Sequence, residues 1–180
     1  MESDTITVNC DLPNYTVDTI KIRRISEQVC DFYGTAGCLL GISFVDAKQI
    51  RELNSTYRQK NMATDVLSFP QSEFAGPLLA RDKLDTTSQI SANQGPPVSL
   101  GDLVICLEKA EENAKSIGQS LDREVCFLIV HGLLHLFGHD HEIEGEEKIM
   151  LEEQQSTMTY LESLSNPPPW HNSVQNNFGA

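Results

Sequence analysis

Four of the five histidines in this 180-residue chain stand within eleven residues, in the string HGLLHLFGHDH at positions 131 to 141, and no other part of the sequence restricts the local fold as tightly. On an α-helix, residues four apart share a face about one turn (~6 Å) apart, so His131 and His135 can present imidazole nitrogens to one point. Leu128 lies on the same stripe, which therefore faces the interior, and two unpaired imidazoles buried there would be costly. A straight helix carries position 141 further along its axis, so a third ligand requires the chain to turn back. Gly138 supplies the break, because glycine takes the left-handed conformation that ends many helices. His141 then returns over the helix end and completes H-x-x-x-H-x-x-G-x-x-H. Three neutral imidazoles with one open position are the catalytic form of zinc. We therefore read His131, His135 and His141 as ligands of one zinc ion and His139 as an exposed turn residue beside it. Asp140 reads as a turn residue or as an acceptor that orients an imidazole.

The long metzincin motif has the same spacing, with a glutamate general base directly after its first histidine. Here that position is Gly132, so a metallopeptidase would have to draw its base from elsewhere. A phosphodiester substrate relaxes the demand, because charge developing on phosphate oxygens is met by a metal and a cation. Arg58 is the candidate cation, although a solvated helix arginine is the commoner state; its guanidinium can hold a non-bridging oxygen through two parallel hydrogen bonds. Lys48, Arg51, Arg58 and Lys60 place four cations within thirteen residues. That group matters because the chain as a whole has 26 acidic against 13 basic residues, a net charge of −13 that repels polyanions at long range. The six glutamates at 142, 144, 146, 147, 152 and 153 read as a solvated helix face.

Periodicity predicts an α+β fold, a mixed sheet of about four strands with helices packed on it and the motif helix at the centre. The strands are expected over residues 5–8, 38–45, 65–69 and 103–106, and helices from Thr16 toward Gly34, after an Asp46 N-cap, and over about 107–117, 121–137 and 144–164. Asp65 and Ser68 fall where a strand should border the site, with a hydrogen-bonding duty as reasonable as a catalytic one. Asp102 reads as a turn residue, Tyr57 as core, and Arg23 and Arg24 as exposed. Residues 1–165 are expected to form one domain, with 71–99 a flexible insertion and the proline-rich 166–180 a disordered tail. The five cysteines, odd in number and without a C-x-x-C pair, read as reduced core residues. With neither an apolar leader nor a membrane-length run in view, a cytoplasmic location is expected.

Three ordered blocks carry a family resemblance. HGLLHLFGHDH is similar to the H-G-x-L-H-L-x-G-Y-D-H signature of the YbeY family of metal-dependent endoribonucleases, with His139 where that family has tyrosine. Residues 53–58, LNSTYR, and 64–70, TDVLSFP, resemble its L-N-x-x-Y-R and T-D-V-L-S-F-P elements, and LGDLVI at 100–105 resembles its L-G-D-I-V-I strand. The resemblance covers most of residues 40–155. It implies an α+β fold with one zinc ion on His131, His135 and His141, and a catalytic Arg58. It further implies cleavage of single-stranded RNA, with roles in ribosomal RNA processing and ribosome quality control and with ribosomal RNA or a ribosomal subunit as partner. A metallopeptidase and a non-catalytic, ribosome-associated zinc protein are the alternatives.

Overall fold

In the computed structural model, which describes residues 5–80 and 96–178, the chain forms a four-stranded mixed sheet in the order β1-β3-β5-β4. Its strands are β1 (Ile6–Cys10), β3 (Leu39–Val45), β4 (Val66–Pro70) and β5 (Ser99–Cys106). β1, β3 and β5 run parallel and β4 runs antiparallel to β5. Central β5 is buried along nearly its whole length, as a near-continuous apolar run covered on both faces should be. Among the described residues there are five helices: α1 (Thr19–Phe32), α2 (Ala47–Arg58), α3 (Leu107–Ile117), α4 (Leu121–Leu136) and α5 (Glu146–Leu164). The expected α+β class is the observed one.

Two apolar clusters divide the helices between the faces. Ile50 of α2 packs with Leu67, Val104 and Cys106 on one face. On the other, α1, α3, α4 and α5 share the main core with Ile42, Leu103 and Ile105. The motif helix α4 is buried almost all round, so its histidines are set by packing on several sides rather than by one surface. Local signals explain the helix starts: the Asp46 carboxylate accepts from the Gln49 backbone N–H in a complete capping box, and Ser120 caps α4.

Three expectations are corrected. The helix expected from Thr16 begins at Thr19, capped by Asp18, because Tyr15–Val17 forms strand β2 of a second, two-stranded sheet. Its partner is β6 (Val174–Asn176), in the segment expected to be a disordered tail. That segment is anchored through 178: Trp170 is only 5% exposed, the Asn172 N–H donates to Asp122 Oδ2 at 2.8 Å, and Asn176 Nδ2 donates to Glu111 at 2.8 Å. One large aromatic and a short antiparallel pairing suffice where average composition suggested too few anchors. Replacing Trp170 by alanine is expected to cost ~3 kcal/mol, the usual penalty for emptying a buried aromatic site, read as a lower urea midpoint at unchanged slope. Tyr57 is not core; it is 65% exposed and meets Phe69 edge-on at 5.3 Å.

The expected insertion at 71–99 lies outside the described residues over 81–95. Its first part is fastened to the motif helix, with the Leu78 N–H donating to Phe137 O at 3.0 Å. The five cysteines are free, and all but Cys10 are buried. No described helix is long and apolar enough to cross a membrane.

Candidate metal centre

His131 and His135 lie one turn apart on α4 with their Nε2 atoms 3.2 Å apart, and His141 Nδ1 lies 3.1 Å from His135 Nε2. The turn that brings His141 back is made at Gly138, whose φ of 92° is open to glycine at little strain. One nitrogen from each ring falls within 4.8 Å of the others. Two ligands at ~2.0–2.1 Å from a tetrahedral zinc stand ~3.3 Å apart, so the two short spacings are those of a coordination shell.

The outer nitrogens determine which atoms carry lone pairs. His131 Nδ1 faces Gln154 Oε1 at 3.2 Å, and His135 Nδ1 faces the carbonyl of His139 at 3.0 Å. Gln154 Nε2 points to Phe127 O at 3.5 Å, which orients the amide with its oxygen toward the ring. Both acceptors call for an N–H on Nδ1, leaving the two Nε2 atoms as bare acceptors aimed at each other and at His141. Converging lone pairs repel unless a cation lies among them, so the donor set fits a metal ion. Burial, chiefly, holds His135 down at about 4, with His131 and His141 adding to the shift. His131 is also lowered, first by desolvation, with its Gln154 hydrogen bond opposing. Both rings are thereby kept in the neutral form a metal requires.

His139 is buried rather than exposed and lies outside the three-histidine cluster. It is 4% exposed, and its Nε2 lies 2.7 Å from Leu78 O, tying the 71–80 segment to the turn whose carbonyl orients His135. Asp140 has the turn role: its carboxylate accepts from the Glu142 N–H at 2.8 Å. Gln154 escaped the sequence reading because it stands in the acidic helix, 23 residues from the ring it orients. A signal was present, since Gln154 and Thr157 are the polar breaks in the buried stripe Met150, Met158 and Leu161.

Gly132, the position of a metzincin base, is where α4 approaches the sheet. A Cβ there would come within 2.7 Å of Leu103 Cδ2 and 3.3 Å of Ser68 Oγ. Leu103 is fully buried and cannot retreat. Gly132→Ala is expected to lower stability by ~1–3 kcal/mol through overpacking, measured by thermal unfolding, and a glutamate is excluded more strongly. The same packing explains Ser68, whose hydroxyl donates to Gly132 O at 3.2 Å.

The histidines border a cavity of about 780 Å³. Arg58 and Lys60 line it from α2 and the turn that follows, and Glu142 and Glu147 line it from the chain after the motif. Arg58 Nη2 donates to Ser68 O at 3.0 Å, which holds the guanidinium against β4 while the side chain stays exposed. Lys60 is placed by Asn54, a buried residue the sequence reading passed over: its Nδ2 donates to Met62 O at 2.8 Å and its carbonyl accepts from the Lys60 N–H at 3.2 Å. Asp65 lines the cavity but spends both carboxylate oxygens structurally, on the Val66 N–H at 2.8 Å and Asn113 Nδ2 at 2.9 Å. Asp102 sits within β5 rather than in a turn and accepts from Gln71 Nε2 at 3.0 Å. It does not border the cavity, and neither do Arg23 and Arg24.

Comparison with known proteins gives a consistent result. The family model described as Endoribonuclease YbeY matches residues 8–162. The Endoribonuclease YbeY of Geobacillus sp. (strain WCH70) is 44% identical over 157 residues, covering 84% of this chain and 94% of that protein. The one from Caldanaerobacter subterraneus subsp. tengcongensis is 42% identical over 145 residues, covering 81% and 84%. The one from Carboxydothermus hydrogenoformans is 47% identical over 128 residues, covering 71% and 75%. The solution structure of TM1509 from Thermotoga maritima superposes with a TM-score of 0.55 over 90% of this chain and 93% of that one, at 23% identity, a likeness of fold.

Proposed function

The chain belongs to the Endoribonuclease YbeY family, and from that premise we propose that it cleaves single-stranded RNA at one zinc ion held by His131, His135 and His141, with Arg58 meeting the scissile phosphate. The observation that carries this reading is the meeting, in one cavity, of three imidazole nitrogens and an exposed guanidinium. A zinc ion there supplies Lewis acidity and positive charge beside the phosphate.

The protein's own groups do the rest. Gln154 and the His139 carbonyl fix two rings, so the ligand atoms need no reorganisation during the reaction. Arg58 has one amino group on Ser68 O, leaving its other donors to take two phosphate oxygens in a fork. Lys60 adds a second positive charge on the same wall. Among the described residues no fourth histidine, cysteine, aspartate or glutamate joins the triad, which supports an open position for reactant and weighs against a purely structural metal. Gly132 weighs against the peptidase reading, since the residue at the base position has no side chain and no room for one. The preference for single strands is what the family resemblance implies, and it is physically reasonable, because an unpaired backbone can bend a phosphate into the cavity whereas a duplex holds its phosphates on a rigid A-form surface.

We place this activity in ribosomal RNA processing and ribosome quality control, in the cytoplasm, with ribosomal RNA or a ribosomal subunit as partner. The test is cleavage of an end-labelled RNA offered single-stranded or annealed to its complement, with and without a chelator. Metal-dependent cutting of the single strand alone is expected; cutting of a denatured protein instead, or of neither polymer, contradicts the reading. The product ends identify the nucleophile: a 5′-phosphate with a 3′-hydroxyl indicates water, and a 2′,3′-cyclic phosphate the substrate's own hydroxyl.

A further inference from the structure

The cations of α2 do not stop at the histidine cavity. Lys48, Arg51, Ser55 and Arg58 follow one another at intervals of three, four and three residues, which puts them along one side of the helix over ~15 Å. Beside that side, a depression of about 590 Å³ adjoins the 780 Å³ cavity, and a further one of about 400 Å³ adjoins the first. Met62 lines both the main cavity and the first depression, while Asn61, Lys48 and Arg51 line both depressions. The three form one shallow groove between α2 and the turn after it. Met62 stands 61% exposed at the junction, continuing the apolar surface of Ala47 and Ala63.

The outer part of the groove, lined by Lys48, Arg51 and Lys109 against Glu52, is basic in a chain of net charge −13. Among the described residues none of Lys48, Arg51, Arg58 and Lys60 takes part in an ion pair, and Arg51 is steered by an uncharged partner, its Nε donating to Asn61 Oδ1 at 2.8 Å. Several other described cations are neutralised, Lys21 by Asp18, Lys115 by Glu111, Arg123 by Glu162 and Lys148 by Glu152, and Lys109, which lines the 590 Å³ depression, is paired with Glu112. Glu52 is the one acid lining either outer depression, and it lines only that of 400 Å³. Unpaired cations spaced along a groove that opens into a phosphodiester-cleaving cavity match the regular charge of a nucleic-acid backbone.

We propose that this groove, past Met62 to Arg51 and Lys48, holds the sugar–phosphate backbone of the RNA strand outside the cleaved bond, so that the enzyme grips ~4 nucleotides on that side at a stacked rise of ~3.4 Å. The proposal rests on the ribonuclease reading given above and adds to it a second, sequence-independent binding element. Its energy is electrostatic, and it acts on substrate capture rather than on the chemical step.

The test uses the intact enzyme with the double variant Lys48→Gln/Arg51→Gln, a control double variant Lys115→Gln/Lys148→Gln, and single-stranded RNAs of twenty and four nucleotides. For the 20-mer the groove variant is expected to raise KM about tenfold at unchanged kcat. It should also reduce the slope of log KM against log salt by ~1.4, two phosphate contacts at ~0.7 each. The tetramer should lose less than twofold, and the control variant should match wild type throughout. Equal responses of long and short RNA, or a groove variant that behaves like the control, overturn the proposal and leave the groove to an acidic protein. Filter binding of the 20-mer separates this failure from that of the ribonuclease reading. A wild type that binds without cleaving sinks the catalytic reading alone, the groove then being judged on the salt slope of Kd. A wild type that does neither sinks both.

Discussion

His135→Ala is expected to lose the metal and, with it, cleavage of single-stranded RNA. His135 is the central member of the cluster: its Nε2 stands 3.2 Å from that of His131 and 3.1 Å from His141 Nδ1, while the other two rings meet chiefly through it. Removing it leaves a helix ligand and a loop ligand with nothing between them. If three imidazoles share a binding free energy of ~10 kcal/mol, one is worth ~3 kcal/mol, so affinity falls by more than about 10²-fold. Activity should follow occupancy and return in part at high added zinc. The fold should survive, because deleting this ring relieves the lone-pair repulsion of the metal-free site and spares the apolar sides of α4. Metal content by mass spectrometry and initial cleavage rates measure the two effects together; retained metal or an unchanged rate contradicts the assignment.

Arg58→Ala is expected to separate chemistry from metal binding. The guanidinium is exposed at the end of α2 and makes one protein hydrogen bond, to Ser68 O, so its removal should barely alter stability and should leave zinc content at the wild-type level. Its proposed work is done on the phosphate, where loss of one preorganised charged donor costs roughly 10²-fold in kcat, or ~3 kcal/mol. Arg58→Lys should recover only part of this, since an ammonium restores charge but not the two-pronged geometry. An alanine variant with normal kcat removes Arg58 from the mechanism. One that loses metal moves it to the positioning of β4 against α4.

Much of this was legible in the residues because local rules and tertiary packing agree. The i, i+4 pair His131 and His135 and the glycine at 138 encode the spacing of the histidine cluster in the helical repeat itself. The α3 helix ends at Ile117, as expected, where Gly118 takes a φ of 70°. The misreadings occur where distant segments decide. Tyr15–Val17 has helical company on one side and becomes a strand only because Val174–Asn176 arrives from the other end of the chain. His139 looks like a turn residue until Leu78, 61 positions away, offers a carbonyl. Gln154 reads as one more polar residue of an acidic helix until α5 is laid against α4. Tyr57 sits at helical spacing from Ile50 and Leu53, yet only Ile50 and Leu53 join the apolar cluster, and the last turn lies along edge strand β4 with Tyr57 exposed beside Phe69 and Arg58 held to Ser68 O. Periodicity reports which face a helix buries, not how far along its length the burial extends.

X-ray absorption at the zinc edge of the purified protein, prepared without chelators, tests the central claim most directly. Three imidazole nitrogens and one further light-atom ligand, all at ~2.0–2.1 Å, is the predicted shell. A protein that takes up no zinc, or a shell with sulfur at ~2.3 Å or with only two imidazoles, contradicts it.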